Sequence, residues 1–374
     1  MMRKFVGLLL LVMFASMSCS VVLAESGGGK SYLPLVFGAG AKSPVFSATY
    51  TAAFARQDMF GEKIKLVRSK DWGWDELAEF KGPNPLPDEM VVFENKDTGP
   101  CLIYRLYSVR AVLLLKCQKI AEDPQVLYMM YNSDTFTNLS AVFLSDKLLL
   151  VWQEGQNVIY SAQLSWEKDR FVFVVLDSWE GFAPAISENG EAAFYGAIPG
   201  SSKIGLFVAD SSRELSSATL VDSWDMSGII GDVMGQMIAL SPNGLLAYSK
   251  VLSNAEYPIA RGVPVREAGI RAMSWYDDTT LLVQTGGGIT AVIHACSVSA
   301  GAWRCVPLTN GYSPVQVGEG LVAHLYMDSS PLVGDDESWA KPCITKLFPR
   351  VEMICLDNPQ NADYMYPRRV LILN

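Results

Sequence analysis

The chain has 374 residues, 50% of them hydrophobic and 18% charged, with a formal net charge of −9. This is the composition of a globular protein long enough to bury a sizeable core, and it excludes a disordered chain. The acidic balance, and the lack of any Lys/Arg cluster beyond Pro367-Arg368-Arg369, exclude nucleic acid or an anionic membrane as the main partner.

Residues 1–24 read as an export signal. Arg3 and Lys4 form a positive n-region, Phe5 to Phe14 is an apolar run too short to span a bilayer, and Val22-Leu23-Ala24 precedes cleavage before Glu25. Cys19 supplies a rival reading, a lipid anchor on its sulfur, although Ser16 stands where lipoprotein signals place Leu. No later stretch is long and apolar enough for a transmembrane helix, so residues 25–374 are expected to form one exported domain, periplasmic or secreted. Gly38-Ala39-Gly40-Ala41-Lys42-Ser43 lacks the spacing of a phosphate-binding loop.

Beyond this point the segments are short, rich in Val, Ile, Phe, Tyr and Trp, and bounded by Gly, Asn, Asp, Ser and Pro, which is strand grammar. One exception is expected, a turn or two of helix over Asp75 to Phe80 ahead of the rigid connector Lys81 to Pro87. Turns between apolar strands follow at Asp97-Thr98-Gly99, Ser145-Asp146-Lys147, Glu188-Asn189-Gly190, Pro242-Asn243-Gly244, Asp277-Asp278-Thr279 and Gly318-Glu319-Gly320. Their mean step of about 44 residues suits four short strands per unit. One unit is expected to run Phe182 to Ser187, Glu191 to Ala197, Ile204 to Asp210 and Ala218 to Trp224. Such a sheet cannot bury both faces alone, so the units are expected to pack radially. The fold class is therefore all-β, a β-propeller of four-stranded blades, six preferred and seven possible, with a two-sheet sandwich as the alternative. The terminal strand Arg369 to Leu373 is expected to finish a blade begun by residues 25–90, for example around Val45 to Ala55.

Six cysteines other than Cys19 fall into three close pairs, Cys101 with Cys117, Cys296 with Cys305, and Cys343 with Cys355. In an exported chain an even number at hairpin spacing predicts local disulfides, against the alternative of buried free thiols in a reducing compartment. Zinc is not expected, because there is no Cys-x-x-Cys and His294 and His324 are the only histidines.

Ser241-Pro242-Asn243-Gly244-Leu245-Leu246-Ala247-Tyr248 resembles the repeat of TolB-type, WD-repeat-like propellers, where a Ser-Pro-Asp-Gly turn precedes a strand of apolar, Ala, aromatic pattern. Ser187-Glu188-Asn189-Gly190-Glu191-Ala192-Ala193-Phe194 resembles it less closely. Asn189 and Asn243 stand where the family has Asp, and either residue holds such a turn. The resemblance implies an exported propeller that makes contacts in the cell envelope.

The phrase Leu176-Asp177-Ser178-Trp179 returns as Val221-Asp222-Ser223-Trp224. Asp177, Trp179, Asp222 and Trp224 have two readings: a glycan-binding face, or a repeat element whose Trp packs between blades. Recurrence at equivalent places favours the second. Asn189, Gly190, Asn243 and Gly244 are assigned to the repeat turns.

No catalytic residue is assigned. Gly311-Tyr312-Ser313-Pro314 stops short of a nucleophile elbow, and both histidines sit in apolar strand-like stretches. Asp335-Asp336-Glu337 has two readings, a calcium-binding loop or a solvated one, and the second is preferred because the spacing is not that of an EF-hand; no metal or cofactor is expected. Two functional classes remain: a noncatalytic binding or scaffolding propeller, partnered by an envelope protein or a glycan, and a propeller hydrolase or lyase with an acidic site at the central channel, with or without the help of a metal.

Overall fold

The computed structural model describes residues 52–57, 63–70, 73–81, 89–106, 112–120, 123–129, 136–212, 217–225, 237–241, 243–252, 255–265, 269–299, 302–318, 320–327, 340–347, 351–356, 363–364 and 368–373. The expected signal segment with Cys19, Gly38 to Ser43, the expected connector from Gly82 to Pro87 and Asp335-Asp336-Glu337 lie outside the described residues. Among the described residues there is no α-helix.

Among the described residues three strands come first, β1 (Ala52–Gln57), β2 (Lys63–Lys70) and β3 (Gly73–Lys81). Six four-stranded antiparallel blades follow, each continuous in sequence. Blade 1 is β4 (Met90–Asn95), β5 (Gly99–Leu106), β6 (Val112–Cys117) and β7 (Gln125–Met129). Blade 2 is β8 (Phe136–Leu144), β9 (Lys147–Glu154), β10 (Val158–Glu167) and β11 (Arg170–Glu180). Blade 3 is β12 (Phe182–Ile186), β13 (Glu191–Ala197), β14 (Lys203–Asp210) and β15 (Thr219–Asp225). Blade 4 is β16 (Ile238–Leu240), β17 (Leu246–Leu252), β18 (Ala255–Ala260) and β19 (Val263–Pro264). Blade 5 is β20 (Ile270–Asp277), β21 (Thr280–Thr285), β22 (Val292–Ser299) and β23 (Ala302–Asn310). Blade 6 is β24 (Tyr312–Gly318), β25 (Leu321–Met327), β26 (Ala340–Lys346) and β27 (Glu352–Cys355). The chain then passes through β28 (Asp363–Tyr364) to β29 (Arg368–Leu373).

Strand β29 closes the ring. It pairs antiparallel with β1 and, further along, parallel with β4, so that β29, β1, β2 and β3 form a composite sheet between blade 6 and blade 1. On one side of it Ala53, Ala78 and Phe80 pack with Met90, Leu102 and Tyr104 of blade 1. On the other, Ala52 and Phe54 pack with Tyr312, Ala323 and Ile344 of blade 6. Every other core cluster also straddles two neighbouring sheets, as where Phe93 and Ile103 meet Leu148 and Trp152, or where Val151 and Ile159 meet Phe194 and Phe207. The six-blade expectation holds for blades continuous in sequence, and the composite sheet adds one closing unit built from both ends.

Residues Asp75 to Phe80 are strand, not helix. In β3 Leu77 is a bulge: Leu66 faces Ala78 and Val67 faces Glu76, so Leu77 and Ala78 are both buried in succession. That break in the alternation mimics helical spacing. The same bulge stands at Leu127, Leu176, Val221 and Leu308 in the outer strands of blades 1, 2, 3 and 5. The repeated phrase is thus a bulge residue together with its Asp-Ser-Trp successors. Phe80, Trp179 and Trp224 occupy one equivalent place, each opposite an isoleucine of the third strand, Ile64, Ile159 and Ile204.

Candidate functional site

The first strands of successive blades 2 to 6 pack on one another as the inner strands, and near their starts the sequence builds a recurring device. In blades 2, 3 and 6 the inner strand carries two residues opposite one: Asn138-Leu139 opposite Trp152, Ala183-Pro184 opposite Phe194, and Ser313-Pro314 opposite His324. The first residue of each pair is left-handed, with φ of 57°, 51° and 53° for Asn138, Ala183 and Ser313. Such a bulge turns backbone N–H groups out of the ladder, and they must find acceptors.

A side chain from the preceding blade supplies each acceptor. The Ala183 N–H donates to Gln153 Oε1 at 2.8 Å and the Ser313 N–H donates to Gln284 Oε1 at 2.8 Å. Each glutamine spends its amide N–H groups at home, Gln153 on the Gly155 carbonyl at 3.0 Å and Gln284 on the Gly286 carbonyl at 3.2 Å. One acceptor suffices in these blades because the next residue, Pro184 or Pro314, has no N–H. Blade 2 has Leu139 there, and its acceptor is a carboxylate. Glu89 Oε1 accepts from Asn138 N–H at 2.8 Å and Glu89 Oε2 accepts from Leu139 N–H at 3.0 Å. Two donors meet two oxygens.

The remaining junctions between consecutive blades are stitched differently. Tyr195 Oη donates to the Met237 carbonyl at 3.1 Å and accepts the Ser249 N–H, joining blades 3 and 4. Trp275 Nε1 donates to the Ala239 carbonyl at 3.1 Å, joining blades 5 and 4.

Gly311-Tyr312-Ser313-Pro314 has a twin in Gly181-Phe182-Ala183-Pro184. A Cβ on Gly311 would lie 2.5 Å from His324 Nδ1 and 2.7 Å from the Leu325 carbonyl, and one on Gly181 would lie 2.6 Å from the Tyr195 carbonyl. Both glycines are therefore dictated by close approach of the second strand. His324 is fully buried where Trp152 and Phe194 stand in other blades, and its Nε2 hydrogen-bonds Thr345 Oγ1 at 2.8 Å. Burial lowers its pKa to about 4, so the ring is neutral at pH 7. His294 Nε2 shares a 3.0 Å hydrogen bond with Thr285 Oγ1.

The repeat turns are built alike. Ser187 and Ser241 accept the Gly190 and Gly244 N–H groups on their carbonyls, and their Oγ atoms accept the Glu191 and Leu245 N–H groups. Gly190 and Gly244 have φ of 84° and 77°. The Asn243 amide reaches across to the Asp278 carboxylate of blade 5, and the Asn189 amide bonds Glu191 within its own turn at 3.0 Å. All six aligned turns join the first and second strands of a blade.

Of the Asp-Ser-Trp residues, Asp177 and Asp222 accept the N–H of Ser178 and Ser223. Trp179 packs on Phe194 and Phe207 of the next blade, and Trp224 lies between Tyr195 and Tyr248 at 7% exposure. The Trp224 ring is buried, and the Trp179 ring is partly buried against blade 3. Asp222 also accepts from Tyr248 Oη and from Lys250 Nζ at 2.7 Å, while Lys250 sits 5.4 Å above the Trp224 ring. Burial works to raise the Asp222 pKa, but the Lys250, Tyr248 and Ser223 donors together hold it below the usual value. Between blades 1 and 2, Tyr128 Oη donates to Glu154 at 3.3 Å amid Trp152 and Tyr160, and burial raises the Glu154 pKa.

The cysteines pair as Cys101–Cys117 across β5 and β6, Cys296–Cys305 across β22 and β23, and Cys343–Cys355 across β26 and β27. Three such bonds suit an extracytoplasmic chain. Among the described residues, no group of His, Cys, Asp and Glu is disposed to hold a metal, and no helix is long and apolar enough to cross a membrane.

The chain matches no protein-family model, and no curated protein is detectably similar to it. Among solved structures it is similar to TolB from Acinetobacter baumannii, with 12% identity and a TM-score of 0.45, over 86% of this chain and 83% of that one. The strand pairing makes the chain a β-propeller. A prolyl endopeptidase structure is also similar, with 12% identity and a TM-score of 0.41, over 79% of this chain and 46% of that one. These are likenesses of fold alone; the propeller itself rests on the strand pairing.

The sequence reading missed Glu89, Gln153 and Gln284. A signal was present: Gln153-Glu154-Gly155 and Gln284-Thr285-Gly286 precede the twin Gly-aromatic-small-Pro motifs at matching distance.

Proposed function

We propose that the protein is an exported, noncatalytic β-propeller, periplasmic or secreted, that binds or scaffolds another protein of the cell envelope. The observation that carries this reading is the commitment of polar side chains beside the inner-strand bulges to holding the blades together. Glu89, Gln153 and Gln284 accept backbone N–H groups that hold one blade to the next, and His324 is a neutral core ring. Acid–base catalysis needs such groups poised at a substrate instead. A protein is favoured over a glycan because Trp179 and Trp224, the aromatic planes offered by the repeat, are packed between blades. The test is affinity capture of the native exported protein after in-cell cross-linking, with mass spectrometry of what accompanies it. Reproducible recovery of one envelope protein is the expected result. Hydrolysis in a substrate screen, lost on treatment with chelator, would overturn it in favour of the hydrolase reading.

A further inference from the structure

Among the described residues the outermost strand of each sheet has no strand on its far side, and open edges invite pairing unless they are blunted. Four of the edges here are blunted. Strand β3 carries exposed Glu76 just before its bulge; β19 is two residues ending in Pro264; β23 has exposed Arg304 and Pro307; β27 is four residues led by exposed Glu352. The edges of blades 1, 2 and 3 are not. At the place of Glu76 and Pro307 they expose Val126 (53%), Val175 (38%) and Leu220 (46%), with Val174 and Val221 exposed beside them. The bulge itself is common to guarded and unguarded strands and does not separate them.

Among the three, only β11 is suited to meet itself. It is the longest strand, 11 residues, spanning about 36 Å. It begins at exposed Arg170 and ends at exposed Glu180. A two-fold antiparallel pairing centred near Val175 would set Arg170 of each copy beside Glu180 of the other, whereas a parallel pairing would set like charges together. Strand β15 carries Asp222 and Asp225 and no basic residue, so its self-pairing is repulsive, and β7 has 5 uncharged residues. We infer that β11 is a dimer interface, at which a second copy of this chain adds its own β11 to make a continuous eight-stranded sheet across blade 2 of both copies.

The full mature chain is tested by sedimentation velocity at low and high salt. Wild type is expected to be dimeric. Arg170→Glu and Glu180→Arg are each expected to weaken the dimer on the order of ten- to thirty-fold at low salt and less at high salt. The double variant Arg170→Glu/Glu180→Arg is expected to restore wild-type affinity, which a merely local role for either residue would not produce. Val175→Cys, beside the axis, is expected to give an interchain disulfide under oxidation. Circular dichroism checks that each variant is folded. A monomeric wild type, a dimer indifferent to both single changes, or a double variant that stays dissociated overturns the inference.

Discussion

Glu89 offers the sharpest test of how the blades are joined. Its two oxygens accept two N–H groups from the inner bulge of blade 2, where Gln153 and Gln284 accept one each because proline follows. Glu89→Gln exchanges one acceptor for a donor and leaves either Asn138 or Leu139 without a partner, at a cost of about 1–3 kcal/mol. Leu139→Pro removes that N–H but also trims a side chain that is 5% exposed in the core between blades 1 and 2, at a cost of about 2 kcal/mol. Together the two changes rebuild the Gln-and-Pro arrangement of blades 3 and 6. In the Leu139→Pro background Glu89→Gln should therefore cost little, and the double-mutant cycle should return a favourable coupling of about 1–3 kcal/mol. The assay is equilibrium urea unfolding of the four proteins with disulfides intact, followed by tryptophan fluorescence. Additive losses, with coupling below about 0.5 kcal/mol, would refute the reasoning.

Three further outcomes are expected. The folded-state pKa of His324, about 4, lies below the unfolded value of about 6.5, so the unfolded chain binds the proton first. Stability is then full above about pH 6.5 and falls by about 3 kcal/mol as the pH drops to about 4; His324→Phe should flatten that part of a pH series of urea midpoints. Gly311→Ala should destabilise by more than about 2 kcal/mol in thermal unfolding, since the new Cβ meets His324 and Leu325 and φ is 143°. Trp224→Ala should cost about 3–5 kcal/mol, and in addition should loosen Lys250, visible as faster hydrogen exchange in β15 and β17.

Much of the architecture is readable because the repeat turns use local chemistry. Ser187, Asn189 and Gly190, like Ser241 and Gly244, fold their turns with bonds spanning four residues or fewer, so spacing alone locates the second strand of each blade. The cysteine pairs are readable for the same reason, as each lies across one hairpin. Bonds between blades escape such a reading. Gln153 and Ala183 are 30 residues apart, Gln284 and Ser313 are 29, and nothing in a single strand reveals that a glutamine will serve a bulge in the next sheet. The motif at Gly311 reads as an imperfect elbow until its twin at Gly181 is set beside it. Residues Asp75 to Phe80 look helical because a bulge places two buried residues side by side, and Phe80 is hard to match to Trp179 because only the aromatic character is shared.

The union of β1 with β29 has a consequence for assembly. About 300 residues separate these strands, which makes their hydrogen bonds among the most distant in sequence anywhere in the molecule. Blades 1 to 6 can each zip up from neighbouring residues, but the ring remains a horseshoe until both limbs of the clasp have been made. A chain cut short before β29 would lack one limb of the clasp and leave an open arc with two raw faces.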